Sequence, residues 1–452
     1  MLLLLLACPA PDDTGPSDDS SPGEVDTDLD GEDTGLDTGD PIVWETVLDV
    51  GDGHEYAHPN EVPWESLSPS TLVRIHEGTY AAKWVINTTG PLRVEGVGSV
   101  IIEGKDATTR TELDYWNEAR SVLKIGGSSI GPDMASDITI ANLTFRGAMQ
   151  DNGFVNDAGD TETYADNAAC IHVEAGSGVK LVGNTLTDCG NGLFIGNQSG
   201  EIEVHGNHLY GNGVVGSAYE HNSYTEARGI DFAWNRYGRL REGADGNNLK
   251  DRSSGLRVRY NWIEGGNRQL DLVESGELDQ SDPVCVVGNV LIEGEGDGNS
   301  QIVHYGGDNG NVYRSGPLVL VHNTVVSTRQ GNTTWLRLST PENTALAYDN
   351  VVVANSLAIT AGAGQVTLVD NALPEGWRTT FEAEFDGSIS DEGTLTAAPE
   401  LDENHEPGSA SPLLGAAGDL GELCTDVDLQ YVQHQQASER AARSTIGAFE
   451  GP

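Results

Sequence analysis

The amino-acid sequence predicts an all-β solenoid, in which the chain winds into stacked coils of short strands. Nine segments share one pattern: a short β-branched run, then an Asn, then an apolar residue soon after it. Most of these Asn residues follow one another at intervals of 21 to 34 residues, a period typical of solenoids. The segments alternate with period 2 and contain no amphipathic helix, so the coils should be built from strands. The nine positions are Asn142, Asn184, Asn207, Asn235, Asn261, Asn289, Asn323, Asn350 and Asn371.

The first forty residues predict an exported protein. MLLLLLAC resembles the end of a bacterial lipoprotein signal, with Cys8 as the lipidated first residue of the mature chain. Residues 9–40 are mostly Asp, Thr, Gly, Ser and Pro, the composition of a disordered acidic linker. We therefore expect either an outer-membrane lipoprotein anchored through Cys8 or an extracellular protein. Residues 41–452 should form a single folded domain.

Composition narrows the partners of this domain. The formal net charge of −47 makes nucleic acid an unexpected partner, because the polyanion would be repelled. We expect a monomer. Four cysteines remain after Cys8, and none forms a Cys-x-x-Cys pair, so zinc is not suggested. Their spacings name no disulfide, and buried free thiols are the expectation for Cys170, Cys189, Cys285 and Cys424.

The repeated Asn has a structural explanation. An Asn at the same corner of every coil can adopt a tight turn and hydrogen-bond to its copies above and below, which forms an asparagine ladder. With this repeat the sequence resembles the right-handed parallel β-helix of the pectate-lyase superfamily, over roughly Val47 to Glu450. An N-terminal cap with a short helix around Pro63 to Leu67 should cover one end of the coil, since a terminal repeat must hide its apolar cross-section. Glu422 to Ala442 is expected to be an insertion with helical character.

A local excess of basic residues lies in the middle of this acidic chain. Between residues 228 and 268 there are nine Lys and Arg residues and five Asp and Glu residues. The excess predicts a binding site for an anionic ligand. The alternative is a solvated face with a few salt bridges.

A column of polar residues should lie on the strands that begin ten to fifteen residues after the ladder Asn. In a parallel β-helix such residues stack on one sheet face, with apolar neighbours such as Leu249 and Leu270 pointing inward. Asn248, Gln269 and Trp335 are also predicted to face outward. The predicted column contains His221, Lys250, Asp271, His304 and Arg337.

The residue types in this column favour elimination over hydrolysis. Glycoside hydrolysis needs two carboxylates on one face, whereas adjacent Asp-Asp pairs occur only in the N-terminal linker. β-Elimination from a uronic acid needs a base, a cation for the carboxylate and an acid for the leaving oxygen. Lys, His and Arg can meet those needs.

A second resemblance agrees with this chemistry. GNNLKDRS, VRYNWIEGGNRQLDL and GNSQIVHYGGDNG resemble segments of secreted bacterial β-helix proteins that degrade polysaccharides. Asn248 and Lys250, followed by Arg259, Tyr260 and Asn261, are similar to alginate lyases of the chondroitinase-B type, in which a Lys is the base and an Arg the acid. This chain has Asp271 where those enzymes would place the catalytic Arg.

The sequence therefore predicts a lyase that acts on an acidic, uronate-containing polysaccharide. Lys250 would be the base, with its pKa lowered by Arg252 and partial burial. Arg268 or Arg337 would bind the uronate carboxylate, and His221 or His304 would donate the proton. The predicted catalytic residues are Lys250, His221, His304 and Arg268. The predicted substrate-binding residues are Arg252, Asp271, Arg337, Trp335, Tyr224, Asn248 and Gln269.

Three further hypotheses remain open. Asp271 and Glu274 could hold a Ca²⁺ that neutralises the carboxylate, or could orient Lys250. A hydrolase would instead use Asp271 with a second carboxylate, such as Glu226 or Asp308. A non-catalytic glycan-binding or adhesive surface protein would need the aromatic and Arg groups, with Trp335 and Tyr224 stacking on sugar rings, but no base.

Overall fold

Almost every strand of this chain pairs in parallel with the strands one coil before it and one coil after it. The computed structural model describes residues 43–110, 117–308, 310 and 312–452. Cys8 and the linker 9–40 lie outside these residues, so the lipid anchor stays a prediction. Residues 44–452 form one compact unit. In the described part of the chain, no helix is long and apolar enough to cross a membrane.

The described elements are thirty-five short strands and three 3-10 helices. The helices are Pro59–Glu61, Trp64–Ser66 and Glu118–Arg120. In chain order, the strands are β1 (Thr46–Val50), β2 (Thr71–Tyr80), β3 (Ala82–Ile86), β4 (Thr89–Glu103), β5 (Ala107–Thr109), β6 (Ser121–Ile125), β7 (Ala135–Ala141), β8 (Thr144–Arg146), β9 (Gly153–Val155), β10 (Thr161–Thr163), β11 (Ala169–Val173), β12 (Gly176–Ser177), β13 (Lys180–Val182), β14 (Thr185–Thr187), β15 (Asn191–His205), β16 (His208–Tyr210), β17 (Ser223–Ala233), β18 (Arg236–Tyr237), β19 (Leu249–Asp251), β20 (Ser254–Arg259), β21 (Trp262–Glu264), β22 (Leu270–Leu272), β23 (Val284–Val287), β24 (Val290–Glu293), β25 (Gln301–Tyr305), β26 (Leu318–Val321), β27 (Thr324–Ser327), β28 (Thr333–Leu338), β29 (Thr344–Tyr348), β30 (Val351–Val353), β31 (Leu357–Thr360), β32 (Ala363–Val369), β33 (Asp386–Glu392), β34 (Leu429–Val432) and β35 (Gln436–Glu439).

These strands stack as three parallel sheets around one apolar interior. Sheet 1 contains β7, β13, β20, β23, β26, β29 and β32, and ends at the ladder Asn. Sheet 2 follows that Asn and contains β8, β14, β16, β18, β21, β24, β27 and β30. Sheet 3 contains β3, β6, β11, β19, β22, β25, β28 and β31, and the long strands β15 and β17 run from sheet 3 into sheet 1. The predicted right-handed parallel β-helix is confirmed.

The asparagine ladder is continuous from Asn184 to Asn371. In each coil the Asn backbone N–H and Nδ2 donate to Oδ1 of the ladder Asn in the next coil; for Asn261 both distances to Asn289 are 2.9 Å. The residue before the Asn takes the left-handed conformation, with φ of 53° at Tyr260. The ladder residues are Asn184, Asn207, Asn235, Asn261, Asn289, Asn323, Asn350 and Asn371.

Asn142 was wrongly predicted to join the ladder. Its own φ is 56°, so it occupies the left-handed position that precedes a ladder residue. Leu143 follows it and donates its backbone N–H to Asn184 Oδ1 at 3.1 Å. The segment ITIANLTF therefore has its Asn one residue too early, and the exposed Asn142 side chain takes no part in the column.

Replacing a ladder Asn is expected to destabilise the coil. In Asn261→Ala, the backbone N–H and Nδ2 of buried Asn235 both lose the Oδ1 acceptor that they contact at 2.9 Å. The backbone N–H is left without an acceptor, and Nδ2 keeps only its bond to the Val204 carbonyl at 2.7 Å. The loss should cost about 3 kcal/mol of unfolding free energy. Asn142→Gly is the matched control and should change it by less than about 0.5 kcal/mol. Chemical denaturation of both variants checks this. If Asn261→Ala and Asn142→Gly are equally stable, the ladder hydrogen bonds do not stabilise the coil.

The interior is formed by the inward positions of the alternating strands. Leu249, Leu270, Val303 and Leu336 occupy one register position on four successive coils, and all four are fully buried. At the N-terminal end, Trp64 from the second 3-10 helix stacks on Trp84 with ring centroids 5.1 Å apart. The predicted cap is therefore present, with 3-10 turns in place of an α-helix.

Two expectations about the remaining segments were wrong. Residues 422–442 contain the antiparallel pair β34–β35 and no helix, because Tyr431 packs with Trp262 and Phe449 against the coil. The cysteines are not free thiols. Cys170 is bonded to Cys189, and Cys285 to Cys424. Coil stacking and the C-terminal segment bring together thiols that are separated by 19 and 139 residues, which spacing alone could not show.

Candidate active site on sheet 3

One outward column of side chains runs the length of sheet 3. The Cα register places Lys250, Asp271, His304 and Arg337 directly above one another, as predicted. His221 is not in this column, because its strand begins only at Ser223 and Tyr224 takes the predicted place. From the N-terminal side, this register position holds Val85, Lys124, His172, Phe194, Tyr224, Lys250, Asp271, His304 and Arg337.

Lys250 lies between two carboxylates. Its Nζ is 2.5 Å from Asp271 Oδ2 and 2.7 Å from Asp308 Oδ2, and its side chain is 10% exposed. The groups closest to the amine are therefore anionic. The prediction that Arg252 and other cations would surround Lys250 did not include these carboxylates, because the loop after β25 brings Asp308 back to the column.

Asp271 organises the centre of the site. Its Oδ1 contacts His304 Nδ1 at 2.6 Å, and its Oδ2 also accepts from Asn247 Nδ2 at 2.8 Å. Burial alone would raise the pKa of the Asp271 carboxyl, but the hydrogen bond from His304 and the charge of Lys250 hold it well below its usual range. Asp271 is thus an ionised hydrogen-bond acceptor.

The two predicted Ca²⁺ ligands, Asp271 and Glu274, both accept hydrogen bonds from groups of the protein. Both Asp271 oxygens are already used by protein donors, Lys250 and His304 among them. Glu274 is buried, and its Oε2 accepts from the Asp308 backbone N–H at 2.9 Å, whereas its Oε1 has no hydrogen-bond partner among the described residues. A hard cation prefers six to eight oxygen ligands, and here an ammonium group takes the place beside Asp271 that a cation would need.

The two histidines are neutral in different tautomers. Burial lowers the pKa of His304, against the opposing effect of Asp271. Because ionised Asp271 can only accept, His304 Nδ1 carries the proton, and its Nε2 lies 3.0 Å from Ser339 Oγ. His221 Nδ1 accepts from the Asn247 backbone N–H at 2.9 Å, so its proton is on Nε2. Burial and the charge of Lys250 lower the pKa of His221 to about 3.

Arg252 completes a position built for a carboxylate. Its Nη2 lies 3.0 Å from both oxygens of Asp308, and its Nε donates to the Tyr224 hydroxyl at 3.0 Å. The Asp308 side chain, 33% exposed, is therefore held by Lys250 on one side and Arg252 on the other. Burial would raise the pKa of Asp308, but these two cations lower it.

Two more arginines flank His304. Arg268 donates to Gln301 Oε1 at 3.0 Å, while its Nη1 is 3.8 Å from Asp271 Oδ1. Burial lowers the pKa of Arg268. Arg337 is exposed and forms no ion pair with any described residue. Both side chains are thus available to an anionic ligand beside the Lys250 and Arg252 pair.

Three predicted sugar-binding residues are buried instead. Asn248 and Gln269 precede β19 and β22, in turns where the strand alternation does not hold, and their amides bond to backbone carbonyls of residues 264 and 265. Trp335 is fully buried in the main apolar core. None of the three side chains can contact a sugar in this structure, because none has exposed surface.

The basic window of the sequence is divided among several faces of the coil. Arg239, Arg241 and Arg259 pair with Asp297, Asp188 and Asp231, away from the column on sheet 3. For these residues the salt-bridge alternative was correct. Within this window, the cations that belong to the site on sheet 3 are Lys250, Arg252 and Arg268.

Sequence reasoning missed the buried support behind the site. Arg314 is fully buried and pairs with Asp251 at 2.9 Å, and its guanidinium also donates to the carbonyls of Val273 and Ser253. Its backbone N–H donates to the Gly306 carbonyl at 3.0 Å, which closes the loop that presents Asp308. An Arg in a polar loop carries no periodic signal, so only the pairing with Asp251 reveals this function.

Comparison with known proteins finds similar coils among solved structures. No family model and no curated protein matches the chain. An alginate lyase from a Paenibacillus species is similar at 12% identity, covering 74% of this chain and 99% of that one, with a TM-score of 0.45. A pectate lyase is similar at 12% identity, covering 91% of this chain and 98% of that one, with a TM-score of 0.47. A PL6-family alginate lyase is similar at 12% identity, covering 89% of this chain and 59% of that one, with a TM-score of 0.40. The likeness is to the pectate-lyase-like class of parallel β-helix. It concerns the coil and assigns no role to any side chain.

Proposed function

We propose that this chain is a polysaccharide lyase that cleaves a uronate-containing glycan by β-elimination. The observation that supports this most directly is the carboxylate of Asp308 between Lys250 and Arg252. A uronate carries the same group, and Arg recognises it through paired hydrogen bonds. The neighbouring Arg268 and Arg337 extend the cationic surface on which an acidic chain would lie.

Binding of the uronate prepares the site for proton transfer. The substrate carboxylate takes the place of Asp308 on Arg252, and neutralising it makes the proton at C5 more acidic. In that position the substrate carboxylate lies beside both Arg252 and Lys250, which brings the reacting carbon close to the amine. In the proposed step the Lys250 amine, in its neutral form, is the base that takes the C5 proton.

Two other residues assist this step. Asp271, fixed by His304 and Asn247, holds the Lys250 side chain in place. His221 is buried beside Tyr224, and it stays neutral at pH 7 because burial and the charge of Lys250 lower its pKa to about 3. The electrons of the C5–H bond form the C4=C5 double bond as the C4–O bond breaks, and the leaving oxygen takes its proton from solvent. The proposed contribution of neutral His221 is a hydrogen bond to that oxygen as negative charge develops there.

Hydrolysis is the second candidate, because one distance favours it. Asp271 and Asp308 both bond to Lys250 Nζ, at 2.5 and 2.7 Å, so their two contacting oxygens can be no farther apart than these two distances end to end, roughly 5 Å. Retaining glycosidases have a separation of about 5 Å. They also need one carboxyl with a raised pKa, however, and the pKa of both groups is lowered here. Elimination is therefore preferred.

The two chemistries leave different products. The protein should be mixed with a panel of uronate polymers and followed by ultraviolet absorbance, because only elimination creates an unsaturated uronate. Reducing ends released without new absorbance would instead indicate hydrolysis. Affinity for a polymer with neither signal would indicate a binding protein.

Asp308→Asn should improve substrate binding. Removing the internal competitor is expected to lower KM about fivefold, which corresponds to about 1 kcal/mol. Glu277→Gln is the matched control, since it removes a charge from an exposed carboxylate outside the ion-pair network. Steady-state kinetics of both variants check this. A KM for Asp308→Asn that is unchanged or raised would show that Asp308 does not occupy the position of the substrate carboxylate.

Export and calcium independence complete the proposal. Two disulfides fit a chain that folds in an oxidising compartment. Cys8→Ser should move the protein from membrane to soluble fractions, and unchanged fractionation would refute the lipid anchor.

Chelation should leave turnover intact, because Lys250 already neutralises Asp271; turnover that needs added Ca²⁺ would favour the calcium hypothesis.

A further inference from the structure

A second cluster of ligand-type side chains lies at the N-terminal end of the coil, outside the groove on sheet 3. Asp49 is on β1, His76 is on the neighbouring strand β2, and His54 is in the turn that follows β1. One nitrogen or oxygen from each residue lies within 4.8 Å of the other two. None of these residues takes part in the proposed reaction.

The local geometry brings the three side chains together. His76 Nε2 is 2.8 Å from Asp49 Oδ1, and the His54 ring stacks on the His76 ring with centroids 3.8 Å apart and planes 10° from parallel. The turn is fixed because the Gly51 backbone N–H donates to the Tyr56 carbonyl at 2.8 Å. The Tyr80 hydroxyl donates to the carbonyl of His76 at 2.8 Å.

Arg74 positions the carboxylate. Its Nη2 contacts Asp49 Oδ2 at 2.9 Å, which leaves Oδ1 turned towards the histidines. Groups of this kind, which hold a ligand by its second oxygen, are a regular part of metal sites. The Arg74 side chain is 40% exposed, so solvent screens its repulsion of a cation.

We propose that Asp49, His54 and His76 bind one divalent transition-metal ion, with Zn²⁺ as the best match. Two imidazoles and one carboxylate, with a fourth position open to solvent, are a three-ligand set that zinc accepts. Calcium and magnesium prefer oxygen ligands and fit less well. A tetrahedral ion with bonds of about 2.1 Å needs ligand atoms about 3.4 Å apart. Asp49 Oδ1 and His76 Nε2, which are 2.8 Å apart, would separate by about 0.6 Å, and exposed His54 would turn on its loop.

Such an ion would join β1, the following turn and β2. A terminal coil of a solenoid has a neighbour on one side only, so it gains most from an added cross-link. The proposed role is therefore structural, and it is independent of whether the groove is a lyase site.

The test is titration of the full chain with ZnCl₂ by calorimetry and with CoCl₂ by absorption spectroscopy. One saturable equivalent is expected, together with the visible bands of tetrahedral Co²⁺. His54→Ala and Asp49→Asn should each weaken binding at least about tenfold. His54 is exposed, so its removal should leave the fold intact, which circular dichroism checks. The matched control is His208→Ala, which removes an imidazole on β16 and should keep the site.

Three results would overturn the proposal. The first is no saturable Zn²⁺ or Co²⁺ binding by the wild-type chain. The second is binding that all three variants retain, which would indicate adventitious sites elsewhere. The third is equal weakening in His208→Ala, which would show a diffuse contribution from surface histidines. Elimination activity plays no part in these readouts, so they stand apart from the test of the proposed function.

Discussion

Lys250→Ala should lower turnover of a uronate polymer by about 10²- to 10⁴-fold, the usual cost of removing a general base. The structure adds an expected loss of stability, because the variant leaves Asp271, 2% exposed, without one of its partners. Turnover and chemical denaturation should therefore be measured together. Residual folding at the assay temperature must be shown before the kinetic loss is assigned to chemistry.

Lys250→Arg separates the possible roles of this side chain. Arg keeps the charge beside Asp271 and Asp308, so stability and glycan affinity should be retained within a few-fold. It cannot become neutral near pH 7, so turnover should still fall at least about 100-fold. If Lys250→Arg stays active, Lys250 is a carboxylate-binding cation and another group is the base. An active Lys250→Ala would remove Lys250 from the mechanism.

Arg314→Ala should lower the free energy of unfolding by about 3 to 5 kcal/mol. Asp251 is fully buried, and the substitution leaves its charge without the guanidinium that contacts it at 2.9 Å. It also removes one of the two side-chain donors to the carbonyls of Val273 and Ser253, which then keep only Gln280 Nε2. Arg337→Ala is the matched control: this exposed arginine should change stability by less than about 0.5 kcal/mol.

A double variant distinguishes an unpaired charge from a lost shape. Arg314→Met with Asp251→Asn removes both charges and should recover part of the stability lost in Arg314→Ala. Midpoints of urea denaturation for the four proteins give the comparison. If Arg314→Ala is as stable as Arg337→Ala, the buried pair does not hold the loop that presents Asp308.

The repeat was the strongest signal in the sequence. Each ladder Asn needs a left-handed residue before it and an apolar strand after it, so the same local pattern had to recur in every coil. The pattern correctly predicted eight ladder positions and failed at Asn142, where an Asn occupies the left-handed position itself. Local sequence cannot distinguish these two uses of Asn, because both favour the same short turn.

The alternation of the strands predicted half of the site. Leu249 and Leu270 point inward. Lys250 directly follows Leu249 and Asp271 directly follows Leu270, so both had to point to the outer face of the sheet. The same rule failed for Asn248 and Gln269, because alternation holds only within a strand and both lie just before one. His221 failed for the same reason, and Tyr224 stands in its place.

The sequence by itself determined the coil, its asparagine corner and the column of Lys250, Asp271, His304 and Arg337, because these depend on period and alternation, which are local properties. Tertiary structure alone decided which groups meet that column. Asp308 returns to Lys250 and Arg252 from a loop 58 and 56 residues away, and Cys424 reaches Cys285 across 139 residues. The charges around Lys250 could therefore not be predicted from sequence patterns, because electrostatic interactions depend on distance in space. In a solenoid, the lengths of the loops set which residues come close together.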